Sequence, residues 1–361
     1  MSPLIATKKK KINLSSFDLV KGLGIIAVVL MHMLPQYDLQ RVAPLGWLYK
    51  GLNMLSAGVM PMFYIASGYS FKEKPAGKMA KKAFSELIKP YLCVMVAVGI
   101  FFPLCHYLTF RWLPGALHES TRFVLAFALG VATSGKEFLG YTLYECSVVW
   151  FLLSMFVAFN LLNQILRVKN VRLQLLLIAL CTALGFILHH FGFIYYCIPQ
   201  GLMATGYCYL GYLVKKHKVL TENTLPKWAW AVLAIAAIIQ AFYGEVNIAH
   251  GTYKLGLFDY LAAGGAGLLY LALGVKCGDL EWKLLEPIKA IGVYTYWIIC
   301  IHSAEQTCIP WYRWSALWTD HQLRGFAGEV VIKAAIYITV CFILKKLTQL
   351  KYKKAKQKAL R

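Results

Sequence analysis

The chain has 361 residues, 59% of them hydrophobic and only 15% charged, with a mean hydropathy of +0.57. Soluble domains carry about 25% charged residues, so this composition excludes an ordinary soluble protein and fits a polytopic membrane protein. The net charge of +22 would suggest nucleic acid in a soluble chain. In a membrane chain its placement decides instead, and no nucleic-acid partner is expected.

Lys8 to Lys11 precede the first apolar run, which puts residues 1–16 on the cytoplasmic side. That basic start followed by an apolar stretch has the outline of a signal peptide. The run is long, however, contains Asp18 and Lys21, and ends "MHMLPQYD" without a small-residue cleavage site, so a retained first helix is expected. Successive apolar runs then predict spans over 17–34, 45–71, 89–108, 148–166, 173–190, 198–214, 228–243, 255–275, 290–309 and 326–346.

Ten spans bring both termini to the cytoplasm. The basic clusters Lys72/Lys74/Lys78/Lys81/Lys82, Arg167/Lys169/Arg172, Lys215/Lys216/Lys218, Lys276/Lys283/Lys289 and the tail "KKLTQLKYKKAKQKALR" all fall inside. That face then carries the whole net charge of +22, and the outer face is balanced. The tail, 347–361, is expected against anionic lipids of the inner leaflet.

"RFVLAFALGVAT" (122–133) is apolar but too short to cross comfortably, and as a span it would turn every later basic loop outward. It is expected within a long outer loop, 109–147, either re-entrant or lying on the surface. The expected fold class is therefore all-α: one polytopic bundle of about ten transmembrane helices over 1–361, in a bacterial-type plasma membrane.

The ten cysteines are scattered, with no CxxC and no Cys/His cluster at zinc spacing, so no metal is expected. Cys105, Cys146, Cys197 and Cys308 come near the outer face, where free thiols are expected rather than a disulfide. No P-loop or GxGxxG is present, and "AAGGAG" (262–267) lies mid-span, where close helix packing accounts for it.

"FDLVKGLGIIAVVLMHML" (17–34) is apolar but carries Asp18, Lys21 and His32. Lys21 and His32 are eleven residues apart, about 20° from a whole number of turns, so they share one helix face roughly 16 Å apart along the axis. Ile25 and Val28 lie between them, and Asp18 can pair with Lys21 at i,i+3. Each also has an ordinary reading: Lys21 can snorkel to headgroups with Asp18 as partner, and His32 can bond a neighbouring carbonyl.

"FDLVKGLGIIAVVLMH" resembles the first helix of the acyltransferase-3 family of integral-membrane O-acyltransferases, which carries a basic residue, ten residues, then histidine. "MPMFYIASGYSF" (60–71), "WFLLSMFVAF" (150–159) and "GVYTYWIICIHS" (292–303) resemble its second, tryptophan-led and late helices. The likeness covers most of the chain. It departs at Lys21, where the family usually has Arg; Lys keeps the charge but lacks the bidentate fork.

The resemblance implies transfer of an acyl group, usually acetyl, from cytoplasmic acyl-CoA as co-substrate, with no bound cofactor. The acceptor is a hydroxyl of an extracytoplasmic glycan or lipid-linked saccharide. His32 is the expected general base, since imidazole takes a hydroxyl proton near neutral pH. Lys21, held by Asp18, would meet the CoA phosphates.

Ser67, Gly68 and Tyr69 could line the donor entrance, though plain helix packing accounts for them as well. His302 would bind the acceptor or share proton transfer, with Cys300 and Ser303 beside it as candidate acyl carriers. Glu145 and Trp150 would flank the acceptor. Membrane lipids are the expected contact of the basic face, and a homo-oligomer is left open. The rival reading is a polytopic transporter of a small polar solute or glycan precursor, which a buried Lys–Asp pair and a mid-membrane histidine also suit.

Overall fold

The computed structural model describes residues 12, 14–278 and 282–359. The basic run Lys8–Lys11 and the lysine side chains of 351–358 lie outside that description.

Fourteen α-helices follow one another among the described residues. They are α1 (Asp18–Met33), α2 (Ala43–Tyr69), α3 (Ala76–Ala83), α4 (Lys89–Phe110), α5 (Leu113–Leu129), α6 (Trp150–Leu166) and α7 (Val171–His190). There follow α8 (Ile198–Lys216), α9 (Val219–Glu222), α10 (Lys227–Tyr243), α11 (Leu257–Gly278), α12 (Glu286–Cys308), α13 (Trp311–Leu317) and α14 (Gln322–Ala359). Two small antiparallel hairpins interrupt them, β1 (Lys136–Phe138) with β2 (Tyr141–Leu143) and β3 (Val246–Asn247) with β4 (Thr252–Tyr253).

Each of the ten apolar runs has most of its residues in a helix, with ends that overrun by one or two residues at 70–71, 255–256 and 309. By length and composition seven helical stretches can cross a membrane: Ser15–Gln36, Ala76–Phe110, Ser147–Leu166, Val171–His190, Leu257–Gly278, Lys283–Cys308 and Gln322–Lys346. The helix Lys227–Tyr243 is apolar but shorter. The chain is an all-α, multi-pass membrane protein.

Local chemistry sets the ends. Pro35 follows α1 and restarts the chain as a short 3₁₀ turn, Leu34–Gln36, because proline has no N–H for a continuing helix. Asn170 caps α7, its side chain accepting from the Arg172 and Leu173 amides, a cap worth about 1 kcal/mol. Gly130, at φ 59°, closes α5 in the left-handed conformation that glycine adopts without penalty. Between α3 and α4 a single π turn, Phe84–Ile88, keeps the helical path continuous.

The chain forms two compact units, residues 1–24, 53–89 and 150–293 in the first, and 25–52, 90–149 and 294–361 in the second. In the first unit, α8 packs against α6 and α7, α10 against α11, and α3 against α6. The approach of α2 to α8 is backbone on backbone. A Cβ on Gly68 would lie 2.0 Å from the Cys208 carbonyl oxygen, and one on Gly211 would lie 2.0 Å from that of Ile65.

In the second unit, α13 packs on α14 and on the turn after α1. Leu34, Tyr37 and Leu45 form its apolar centre there, with Phe326 of α14 edge-on to Tyr37.

The segment 109–147 is more ordered than a plain loop. The first eight residues of the apolar 122–133 stretch are the second half of a full helix, α5, which is tied to the β1–β2 hairpin. The Arg122 guanidinium donates to Glu119, to the Thr142 carbonyl and to the Tyr144 oxygen, and lies 4.0 Å over the Tyr144 ring. Tyr144 also donates to Glu119 at 2.5 Å and stacks on Phe123. Burial pushes the Glu119 carboxyl up, but the Tyr144, His118 and Arg122 donors outweigh it and hold it below its ordinary value. Burial and Glu119 push the Tyr144 phenol up to about 12.

Candidate functional site

The second unit holds a cluster of ionisable side chains inside apolar helices. α12 contributes His302 and Glu305, three residues apart and so on one face. α14 contributes Glu329, Lys333 and Tyr337, each one turn from the next. The described part of α1 in this unit contributes His32. His302 and Glu329 are 0% exposed and Lys333 2%. Charged groups are almost never fully buried unless paired, and each of these has a partner.

Glu305 is the centre. One carboxylate oxygen accepts from His302 Nδ1 at 2.7 Å, the Tyr337 hydroxyl at 2.9 Å and Lys333 Nζ at 2.8 Å. The other accepts from Trp311 Nε1 at 2.5 Å and from the same Nζ at 2.8 Å. Lys333 also lies 4.3 Å over the Trp311 ring and 3.5 Å from Glu329 Oε1. Tyr37 donates to Glu329 Oε2 at 2.8 Å. Burial, followed by that hydrogen bond, pushes the Tyr37 phenol well above its ordinary range, so it stays a donor.

The two imidazoles are neighbours, with ring centroids 5.4 Å apart and edge to face. His32 Nδ1 lies 2.7 Å from the Val28 carbonyl oxygen, one turn back on its own helix. A carbonyl and a carboxylate only accept, so in both rings Nδ1 carries the proton and Nε2 the lone pair. His302 Nε2 is buried with no hydrogen-bond partner among the described residues. The arrangement offers two fixed imidazole lone pairs, one backed by a carboxylate. That is the equipment for moving a proton off a hydroxyl.

His32 and His302 are thus brought together. Glu145 belongs to the same unit and acts electrostatically on the His32 ring.

The remaining candidates lie in the first unit. Lys21 Nζ is 2.6 Å from Asp18 Oδ1, the i,i+3 pair that the spacing suggested, with both side chains about one-seventh exposed. Here α1 meets the start of α12 closely: a Cβ on Gly292 would lie 1.7 Å from the Asp18 carbonyl oxygen. Tyr69 is buried edge-on against Phe17, with Lys215 Nζ 5.8 Å from its ring centre. Gly68 serves the contact with α8 described above, and Ser67 precedes it half-buried. Trp150 opens α6 and is buried, edge-on to Phe151.

No disulfide joins cysteines among the described residues. Among the described residues no three His, Cys, Asp or Glu side chains are grouped so as to hold a metal ion.

Sequence reasoning missed Glu305, Glu329, Lys333, Tyr337, Tyr37 and Trp311. Two signals were there. Glu305 follows His302 by three residues, and "GEVVIKAAIYI" puts Glu329 and Lys333 one turn apart inside an apolar run. Intramembrane ionisable residues are functional candidates by default.

Comparison with known proteins agrees with the motifs. The acyltransferase domain of acyltransferase family 3 matches residues 14–346, nearly the whole chain. No curated protein and no solved structure matches it. With four helix motifs in order, apolar helices throughout and that match, the chain belongs to acyltransferase family 3.

Proposed function

We propose that this multi-pass acyltransferase is an O-acyltransferase of ten spans with both termini in the cytoplasm, moving an acyl group, acetyl by preference, from acyl-CoA to a glycan hydroxyl. The observation that carries the reading is the imidazole pair, with His302 Nδ1 held by Glu305 and its Nε2 without a partner. A hydroxyl is a weak nucleophile until its proton is taken, and a carboxylate behind the base stabilises the imidazolium that forms.

In this reading the acceptor hydroxyl gives its proton to an imidazole Nε2. Its oxygen attacks the thioester carbonyl carbon, and the tetrahedral intermediate collapses with cleavage of the carbon–sulfur bond. The same proton then passes to sulfur, so the products are an ester and the free thiol. The resemblance favours His32 as the base. The carboxylate behind it favours His302, and the short distance between the rings lets both serve. Lys21, steadied by Asp18, is proposed to meet the anionic donor, with Ser67, Gly68 and Tyr69 at the donor side, and Glu145 and Trp150 on the acceptor side.

The test is thioester consumption. The purified protein is incubated with radiolabelled acetyl-CoA and an envelope extract of its own host, alongside folded His32→Ala and His302→Ala. Label passing to a glycan or lipid fraction with the wild type alone supports the reading.

The buried Lys333–Glu305–Glu329 network favours a second reading, coupled transport of a polar solute. Proton-dependent uptake with no thiol release would put transport first.

A further inference from the structure

Several helical serines and threonines turn their hydroxyls back to a carbonyl one turn earlier. Thr109 bonds Cys105, Ser154 bonds Phe151, Thr205 bonds Gly201 and Thr307 bonds Ser303. This is the ordinary resting place for such a hydroxyl inside apolar surroundings. Ser303 does otherwise. It is 0% exposed, yet its Oγ has no hydrogen-bond partner among the described residues. A buried hydroxyl left unbonded is destabilising, so a helix carbonyl within reach would be taken unless the hydroxyl had another use.

Two more buried polar atoms on α12 share this condition, His302 Nε2 and Gln306 Oε1. At 100° per residue, Gln306 is about 40° and Ser303 about 100° around the helix from His302. Glu305 is on the opposite flank of His302, where it occupies Nδ1. The three residues that carry these unbonded atoms therefore fall within an arc of about 100° on α12, with Glu305 outside it.

Resting on the acyltransferase reading for the nature of its ligand, we propose that His302 Nε2, Ser303 Oγ and Gln306 Oε1 form a buried subsite for two adjacent hydroxyls of the acceptor, making Ser303 and Gln306 specificity-determining residues. The hydrogen-bond inventory selects the diol. His302 Nε2 and Gln306 Oε1 only accept, whereas the Ser303 hydroxyl donates and accepts. A single hydroxyl has one proton and leaves one acceptor unpaired. Two adjacent hydroxyls supply both protons, and one of their oxygens takes the Ser303 proton. Sites built to bond a hydroxyl reject analogues lacking it, because their own polar groups are then stranded.

The experiment compares cis-cyclohexane-1,2-diol with cyclohexanol on the purified full chain in detergent. The two share a ring and differ by one hydroxyl. A ligand that binds only the folded state raises the melting midpoint. The diol is expected to raise it more than cyclohexanol at equal concentration. Ser303→Ala and Gln306→Leu should erase that difference, and Ser303→Thr, which keeps the hydroxyl, should preserve it. In acetyl transfer from acetyl-CoA, the wild-type preference in kcat/KM is expected to be about tenfold or more for the diol, one lost hydrogen-bond pairing.

Equal midpoint shifts in the wild type, or an undiminished preference in Ser303→Ala, overturn the subsite. If Ser303→Ala does not fold, Gln306→Leu against Ser303→Thr decides. The melting comparison needs no turnover, so it stands apart from the envelope assay that tests the acyltransferase reading.

Discussion

Lys333 Nζ sits 2.8 Å from both carboxylate oxygens of Glu305, joining α14 to α12 by a two-pronged ion pair inside apolar surroundings. Breaking a buried pair by removing one partner costs about 3–5 kcal/mol, whereas replacing both with apolar groups is often neutral. Lys333→Met should therefore lower the melting midpoint sharply. Adding Glu305→Gln to it should recover much of the loss without restoring transfer. An unchanged midpoint in Lys333→Met would remove the structural argument for the pair.

Glu305 acts through His302, so it is a positioning residue. Glu305→Gln keeps the shape but gives up the anion. The expected outcome is a fall in kcat of about 10–100-fold with little change in KM for the acceptor. His302→Ala and His32→Ala should each cost about 10²–10⁴-fold, the usual worth of a placed base. If His32→Ala turned over normally, His302 alone would be the base.

Lys21 and Asp18 make a close pair at one end of α1. If Lys21 meets the donor's phosphates, Lys21→Ala should raise KM for acetyl-CoA about tenfold, which is 1.4 kcal/mol, and Lys21→Arg should restore most of it. A KM that does not move, with kcat intact, would return Lys21 to its headgroup-snorkelling role.

Gly68→Ala should destabilise the first unit. The added methyl would stand 2.0 Å from the Cys208 carbonyl oxygen, a backbone atom that cannot step aside. Overpacking of this kind costs about 1–3 kcal/mol. Ser67→Ala, on the half-buried neighbour, should stay within about 0.5 kcal/mol. Melting midpoints of the two variants side by side make the comparison.

The clasp of Glu119, Arg122 and Tyr144 should loosen in acid. The Glu119 carboxyl is held below its ordinary 4.5, so its contribution is present above that value and fades as pH falls through the lower folded value. Protection factors of the β1 and β2 amides, with the intrinsic pH dependence of exchange divided out, should fall in that window, and Arg122→Ala should lower them already at neutral pH. Wild-type protection factors that do not change with pH would show that the clasp holds the hairpin by packing alone.

Much of this was legible beforehand because membranes simplify the problem. Backbone groups in lipid must be satisfied within the segment, so an apolar run of sufficient length becomes a helix with few alternatives. That is why all ten runs lie mostly in helices, and why "DLVK" gave the Asp18–Lys21 pair. The same reasoning underestimated 109–147. An apolar stretch too short to span can still be half of an amphipathic helix, and the Leu139–Gly140 turn, with both residues at positive φ, folds a hairpin beside it. It also left Glu329 and Lys333 inside the 326–346 span without a role. Periodicity tells which residues share a face of one helix but not which faces meet, so Lys333 and Glu305 could not be paired from spacing alone.

The buried ion cluster has a consequence for how the chain is made. Glu329 and Lys333 stand one turn apart on α14, so that helix leaves the translocon with its charges already facing each other. Glu305 is synthesised earlier, on α12, with only His302 and Trp311 near it in sequence. An uncompensated acidic side chain within an apolar helix is costly on insertion. Until α14 arrives, α12 is an incompletely compensated guest in the bilayer. The last helix is then a fastener that completes assembly, and a chain stopped before Lys333 would leave Glu305 exposed to the surveillance that removes half-built membrane proteins.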